Sequence, residues 1–143
     1  MRTDIVIGLI SNIREKSAHF INDQLKNKNA NDLINSYGTI LSILYDNNGK
    51  ISLNLIGKLT GKKKSTLTDM IKKLVTLGYI IREKSEIDKR SIEISLTKKG
   101  WDFQPIFKEI SYNLLEKAYS GFSQEEKELL ITLLQRVRKN FKE

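Results

Sequence analysis

At 143 residues, with 39% apolar side chains, eight glycines and one proline, the chain is sized for one compact domain with a core of its own and has no room for a long disordered linker. The absence of cysteine excludes disulfides, thiolate metal sites and a thiol redox switch, and a lone histidine, His19, leaves zinc binding and nucleophile–histidine catalysis little to work with. The net charge is +8 and all of it lies in the middle: residues 50–99 hold thirteen Lys/Arg against five Asp/Glu, the remainder twelve of each, a basic surface on a neutral scaffold.

From Ile5 to about Leu25, apolar residues at Ile5, Val6, Leu9, Ile10, Ile13, Phe20, Ile21 and Leu25 fall largely three or four apart, which predicts an amphipathic helix. The polar run 26–31 breaks it. A second helix is expected from about Ser36 to Asn47, with Ile40, Leu41, Leu44 and Tyr45 on one face; Asn47-Asn48-Gly49 stops it, because these residues readily turn left-handed past a helix end. Ser52 is placed to cap a short third helix, with Ile51 as the hydrophobic staple and Leu55, Ile56 and Leu59 as the buried stripe. After Thr60-Gly61 a fourth helix runs to about Leu77 on Leu67, Met70, Ile71, Leu74 and Val75. Two short helices joined by a glycine turn match a helix-turn-helix.

After Gly78 the apolar period changes from helical to alternating. Residues 79–83 and 91–96 read as strands, the second alternating at Ile92, Ile94 and Leu96, with a charged hairpin tip over 84–90. Helix returns after Thr97 with Phe103, Ile106, Phe107, Ile110 and Leu114 on one side; Pro105 predicts a kink or a restart at Asp102. Gly121 interrupts this pattern. Ser123-Gln124-Glu125-Glu126 is a capping box for a last helix carrying Leu129, Leu130, Leu133, Leu134, Val137 and Phe141. The fold class is therefore mainly α with a small β-hairpin wing (α+β). No run approaches the roughly 18 apolar residues of a bilayer span, and Met1-Arg2-Thr3-Asp4 does not open a secretory signal, so the expected location is cytoplasmic, with no membrane partner.

Three spaced motifs, Gly78-Tyr79-Ile80-Ile81-Arg82, Asp88-Lys89-Arg90 and Leu96-Thr97-Lys98-Lys99-Gly100, resemble in type and order the wing of the MarR family of bacterial winged helix-turn-helix regulators. Ser65-Thr66-Leu67-Thr68 and Leu74 are similar to residues of that family's recognition helix. The resemblance is sharp from about Leu53 to Gly100 and elsewhere rests on helix order and length. It implies a single domain over 1–143, with a DNA-binding lobe at 33–100 between dimerisation helices at 1–30 and 101–143.

The resemblance further implies a homodimer on double-stranded DNA, with no cofactor, no metal and no catalysis. Its recognition helix would lie in the major groove and turn Ser65, Thr66, Thr68, Asp69 and Lys72 outward. Many family members carry a base where Asp69 stands; here the acid either accepts from a cytosine or pairs with Lys72 or Lys73, and pairing is the favoured reading. Lys62, Lys63 and Lys64 crowd the positive end of the helix dipole, which is unfavourable unless phosphates offset it. Arg90 would enter the minor groove and Lys89 reach phosphate, with Asp88 orienting an arginine. Arg82 is expected either on the DNA backbone or paired with Asp88. Dimerisation falls to Ile5, Leu9, Ile13, Phe107, Leu114, Leu130, Leu133 and Val137. A small-molecule effector would meet His19, Tyr37, Tyr45 or Trp101, although core packing is the favoured reading for Trp101 and a partly buried structural role for His19.

The expected function is thus a sequence-specific regulator, a repressor on a palindromic operator, released by a small ligand. A constitutive or architectural DNA-binding factor and a winged-helix protein-interaction module are the alternatives. An enzyme is the weakest reading, since the sequence contains no carboxylate pair, Gly-rich phosphate loop or metal-ligand spacing.

Overall fold

The computed structural model describes residues 1–30 and 32–142. Asn31, in the polar break expected over 26–31, and Glu143, at the end of the expected dimerisation segment, lie outside the described residues. The chain divides into two compact units, one spanning Met1–Ile110 and the other starting at Ser111.

The first unit runs α1 (Val6–Asn27), a 3-10 turn (Asn35–Tyr37), α2 (Gly38–Asp46), β1 (Lys50–Ser52), α3 (Leu53–Thr60), α4 (Lys64–Thr76), β2 (Ile80–Lys84), β3 (Ile92–Leu96), α5 (Lys98–Asp102) and the start of α6 (Gln104–Ala118). The unit boundary falls inside α6, later than the lobe end at position 100 that the resemblance places. Helix α1 has two characters. Residues 1–16 are exposed throughout, whereas Leu25 is buried and Ile21 packs against the core. That core is built by Ile40, Leu41 and Leu44 of α2, Ile56 of α3, and Leu67, Met70, Ile71 and Leu74 of α4. Ile80, Ile94 and Leu96 of the strands close it from the sheet side. Each fully buried side chain of this size contributes about 1.5–3 kcal/mol relative to exposure.

The sheet has three antiparallel strands in the order β1-β3-β2, rather than the two of a simple hairpin. Ile51, expected as a staple residue, is the centre of β1 and stands opposite Ile94, where both are buried. Lys50-Ile51-Ser52 is too short to show an alternation, so only the partner strand could have revealed it. In α3 only Ile56 is buried; Leu55 and Leu59 are 41% and 57% exposed, against expectation. At 100° per residue both fall on the same side of Ile56, beyond the covered stripe. Val75 of α4 is likewise exposed.

Two glycines carry backbone requirements. Gly61 ends α3 at φ +65° and donates its N–H to the Gly57 carbonyl at 3.0 Å, which sets the turn into α4. Gly100 is buried where a Cβ would run into the carbonyl oxygen of Tyr79 and the side chain of Leu96, so α5 lies against the β2 entrance only because this residue has no side chain. Pro105 falls in the first turn of α6, where its missing N–H has no helical partner to lose; the helix restarts at Gln104 rather than at Asp102.

The second unit holds the rest of α6, a turn at Gly121 and α7 (Gln124–Asn140). The capping box is formed as expected: the Ser123 hydroxyl accepts from the Glu126 N–H at 3.1 Å, and the Glu126 carboxylate accepts from the Ser123 N–H at 2.9 Å. Helix α7 buries no residue. Among the described residues no helix is long and apolar enough to cross a membrane.

Candidate nucleic-acid interface

Helix α4 is held by its inner face and presents its outer one. Thr60 closes the turn before it, its hydroxyl donating to the Ile56 carbonyl at 2.9 Å and accepting from the Lys62 N–H at 3.3 Å. Lys63 stands at the N-cap with no side-chain cap bond, so the first N–H groups of α4 lack the usual side-chain acceptor. Ser65, Thr66, Asp69 and Lys72 are exposed on the outer face, as are Lys63 and Lys64, while Lys62 is half-buried in the turn. Thr68 is also half-buried and its hydroxyl donates to the Lys64 carbonyl at 2.8 Å, so it has acceptor capacity left and no proton to offer a base. The expected pairing of Asp69 with Lys72 or Lys73 is not made; among the described residues Asp69 has no ion-pair partner.

In the wing, β2 and β3 pair in register with Ile80 opposite Leu96, Arg82 opposite Ile94 and Lys84 opposite Ile92. Asp88 holds Arg90, not Arg82: its carboxylate accepts from the Arg90 N–H at 3.0 Å and lies 3.8 Å from Nε. The Arg90 side chain is 97% exposed, and Arg82 and Lys89 are exposed as well. Of the thirteen basic residues between 50 and 99, four are in ion pairs: Lys50 with Glu93, Arg90 with Asp88, Lys98 with Asp102 and Lys99 with Asp32. The other nine have no acidic partner among the described residues. They gather on α3, the α3–α4 turn, α4 and the hairpin, which is where a groove-binding surface would need them.

The comparisons with known proteins point the same way. The family model for the transcriptional regulators SarA/Rot matches residues 25–104. The regulator SarZ of Staphylococcus epidermidis is 33% identical over 105 residues, covering 73% of this chain and 70% of that protein. The chain belongs to the SarA/Rot family of transcriptional regulators. Among solved structures, a MarR protein from Peptoclostridium difficile matches 98% of this chain and 89% of its own at a TM-score of 0.83 and 22% identity, which is a likeness of fold. Reduced AbfR, solved bound to DNA, matches 97% of this chain and 94% of its own at 0.79 and 25%. The winged-helix architecture of the MarR type, expected from the three motifs, is the one observed.

Thr97 caps α5 by accepting from the Gly100 N–H at 3.1 Å, and its hydroxyl also donates to the Gly78 carbonyl. Its own N–H bonds the Tyr79 carbonyl at 3.1 Å. The first and third motifs therefore lock the base of the wing to itself, whereas Asp88-Lys89-Arg90 faces outward. The sequence reading missed a second fastening. The Asp32 carboxylate accepts from the Tyr79 hydroxyl at 3.1 Å and from Lys99 Nζ at 3.2 Å, and Lys99 also donates to the Leu77 carbonyl at 2.7 Å beneath its ring contact with Tyr79. Burial, then the nearby Asp32 carboxylate, pushes the Tyr79 phenol up to about 12, so this hydroxyl stays protonated and donating. The cluster pins the C-terminal end of α4 to the segment after α1; a signal existed only in the spacing of three residues far apart in sequence.

The four residues expected to line an effector site differ in their surroundings. Tyr45 and Trp101 come together with ring centroids 6.1 Å apart, and the Tyr45 hydroxyl donates to the Gly100 carbonyl at 2.6 Å. Tyr37 is buried in the core. His19 is not buried: its side chain is 82% exposed, 3.6 Å from Asp23 one helical turn on. Trp101, expected as core, is 40% exposed, resting on Gly49. Of the residues assigned to dimerisation, Ile5, Leu9, Ile13, Leu130 and Leu133 are exposed, and Leu114 and Val137 are half-covered. Phe107 is an exception. It packs inward against Tyr45 at 5.1 Å and belongs to the core of the first unit.

Proposed function

We propose that the protein binds a palindromic double-stranded DNA operator as a homodimer and represses transcription there, α4 entering the major groove and Arg90 the adjacent minor groove. The observation that carries this reading is the set of nine unpaired bases on α3, its turn into α4, α4 itself and the hairpin, beside an outer face of α4 that offers Ser65, Thr66 and Asp69. Phosphate contacts from Lys62, Lys63, Lys64, Lys72 and Lys89 fix the register, and hydroxyls and the Asp69 carboxylate meet base edges. Reduced AbfR bound to DNA is a precedent among similar folds. Homodimerisation is supported by the exposed apolar residues of α1 and α7. Repression and a cytoplasmic location rest on the family alone. An effector keeps a candidate contact at Tyr45 and Trp101.

The test is selection of bound sequences from a random duplex pool, followed by salt titration of wild type and Arg90→Ala. A palindromic site with half-sites about 10 base pairs apart is expected. Arg90→Ala weakens it and lowers the slope of log K against log salt by about one contact. Sequence-blind binding would replace the operator reading with an architectural one, and absence of binding would leave a protein-interaction module.

A further inference from the structure

The tip of the wing carries a side chain that no charge argument explains. Ile87 is 96% exposed, more than any other large hydrophobic among the described residues except Met1. It stands on an ordered loop. The Ser85 hydroxyl, buried to 6% exposure, accepts from the N–H groups of both Ile87 and Asp88 at 3.2 and 3.3 Å. Ser85 N–H donates to the Ser91 carbonyl at 2.9 Å, Ser91 N–H donates to the Asp88 carbonyl at 2.9 Å, and the Asp88 carboxylate takes the Arg90 N–H. A buried hydroxyl and a carboxylate are thus devoted to shaping a loop whose most prominent side chain is apolar. Glu86 and Asp88 offset Lys89 and Arg90 beside it, so the charge of the loop does not account for the apolar residue at its tip.

We propose that Ile87 is a specificity residue of the wing: it inserts at a base step in the minor groove beside Arg90 and favours flexible pyrimidine–purine steps there. The minor groove is about 6 Å wide, and an aliphatic side chain pushed against a step partly unstacks it, which is cheapest at TA or CA/TG. A pre-ordered tip loses little entropy on insertion, and a β-branched side chain with few rotamers loses little more. Arg90 reads groove width and Ile87 reads deformability, two different properties from one loop. This inference rests on the DNA-binding reading above.

The experiment uses the full chain and the duplex recovered by selection, with 2-aminopurine placed in turn at each adenine of the wing-facing positions. Wild type is expected to raise the fluorescence at one step per half-site, the sign of unstacking. Ile87→Ala abolishes that rise and weakens binding about ten-fold with an unchanged salt slope, whereas Ile87→Leu largely restores both. Arg90→Ala moves the slope instead. Thermal melts of the variants should match wild type, because both side chains are exposed. If wild type and Arg90→Ala behave as expected while Ile87→Ala binds with wild-type affinity and an unchanged fluorescence scan, the inference is overturned and the DNA-binding reading stands. If wild type selects no duplex at all, both fall.

Discussion

Helices α4 and α7 make an instructive pair. Both carry apolar residues at helical spacing over several turns, one of 13 residues and the other of 17. Helix α4 buries Leu67, Met70, Ile71 and Leu74, whereas α7 buries nothing and leaves Leu129, Leu130, Ile131, Leu133 and Leu134 between 37% and 57% exposed. The N-terminal half of α1 resembles α7: Leu9 and Ile13, with Ile5 at the N-cap before them, are about half exposed. Periodicity shows that a face needs covering; it does not show what covers it. A face closed by its own chain contributes to folding, whereas an open face is free to contribute to the association proposed above, so the same leucine should have a different measurable consequence in the two helices.

The largest effect is expected on the closed side. Leu74 is fully buried, and Leu74→Ala should cost about 2–5 kcal/mol through lost burial and the cavity left behind, a large part of a typical domain's stability. Urea unfolding followed by far-UV circular dichroism reads it as a lower midpoint at any protein concentration. On the open side, Leu130→Glu combined with Leu133→Glu should leave the fold of the first unit intact and break the proposed homodimer. Each leucine is duplicated by symmetry, so the dissociation constant should rise by about 100-fold or more. Light scattering would report half the mass, and operator binding would weaken in parallel. A doubly substituted chain that keeps the dimer mass would remove α7 from the interface and leave α1 as the candidate.

The same contrast explains what could be read from the sequence. The helix-turn-helix and the hairpin were legible because the apolar period changes at Gly78, and local rules fix both periods. The Ser123 capping box was legible for the same reason, being complete within four residues. What was missed depends on partners distant in the chain. Strand β1 exists because Ile51 meets Ile94, and the Asp32–Tyr79–Lys99 fastening joins three separate segments. Leu55 and Leu59 look buried by spacing, but both lie to one side of Ile56, on a face of α3 left exposed. In the interface the residue types were legible and their pairing was not: Asp88 takes Arg90 rather than Arg82, and Asp69 takes neither lysine. A charge run shows where cations are, and only geometry shows which of them are already spoken for.

The smallest predicted effect sharpens the comparison at the start of the open helix. Helix α7 has no buried residue to hold its first turn, so that turn depends on the Ser123–Glu126 box. Glu126 accepts the Ser123 N–H, and this bond holds its carboxyl below the ordinary 4.5. A carboxyl whose folded value is depressed stabilises the fold above its unfolded value and loses that contribution as pH falls through the folded one. Protection of the first-turn amides of α7 against hydrogen exchange should therefore weaken as pH drops below about 4.5, after correction for the intrinsic rate. In Glu126→Gln the neutral amide still offers an acceptor oxygen, so the box persists with no acid-dependent loss. The readout has to be local, because the Asp4 carboxyl, also held low, by Arg2, is a second acid-sensitive contact elsewhere in the chain. The α4 amides, whose helix is fixed by burial, should not follow the same curve; if they do, acid is loosening the whole fold and the box is not the cause.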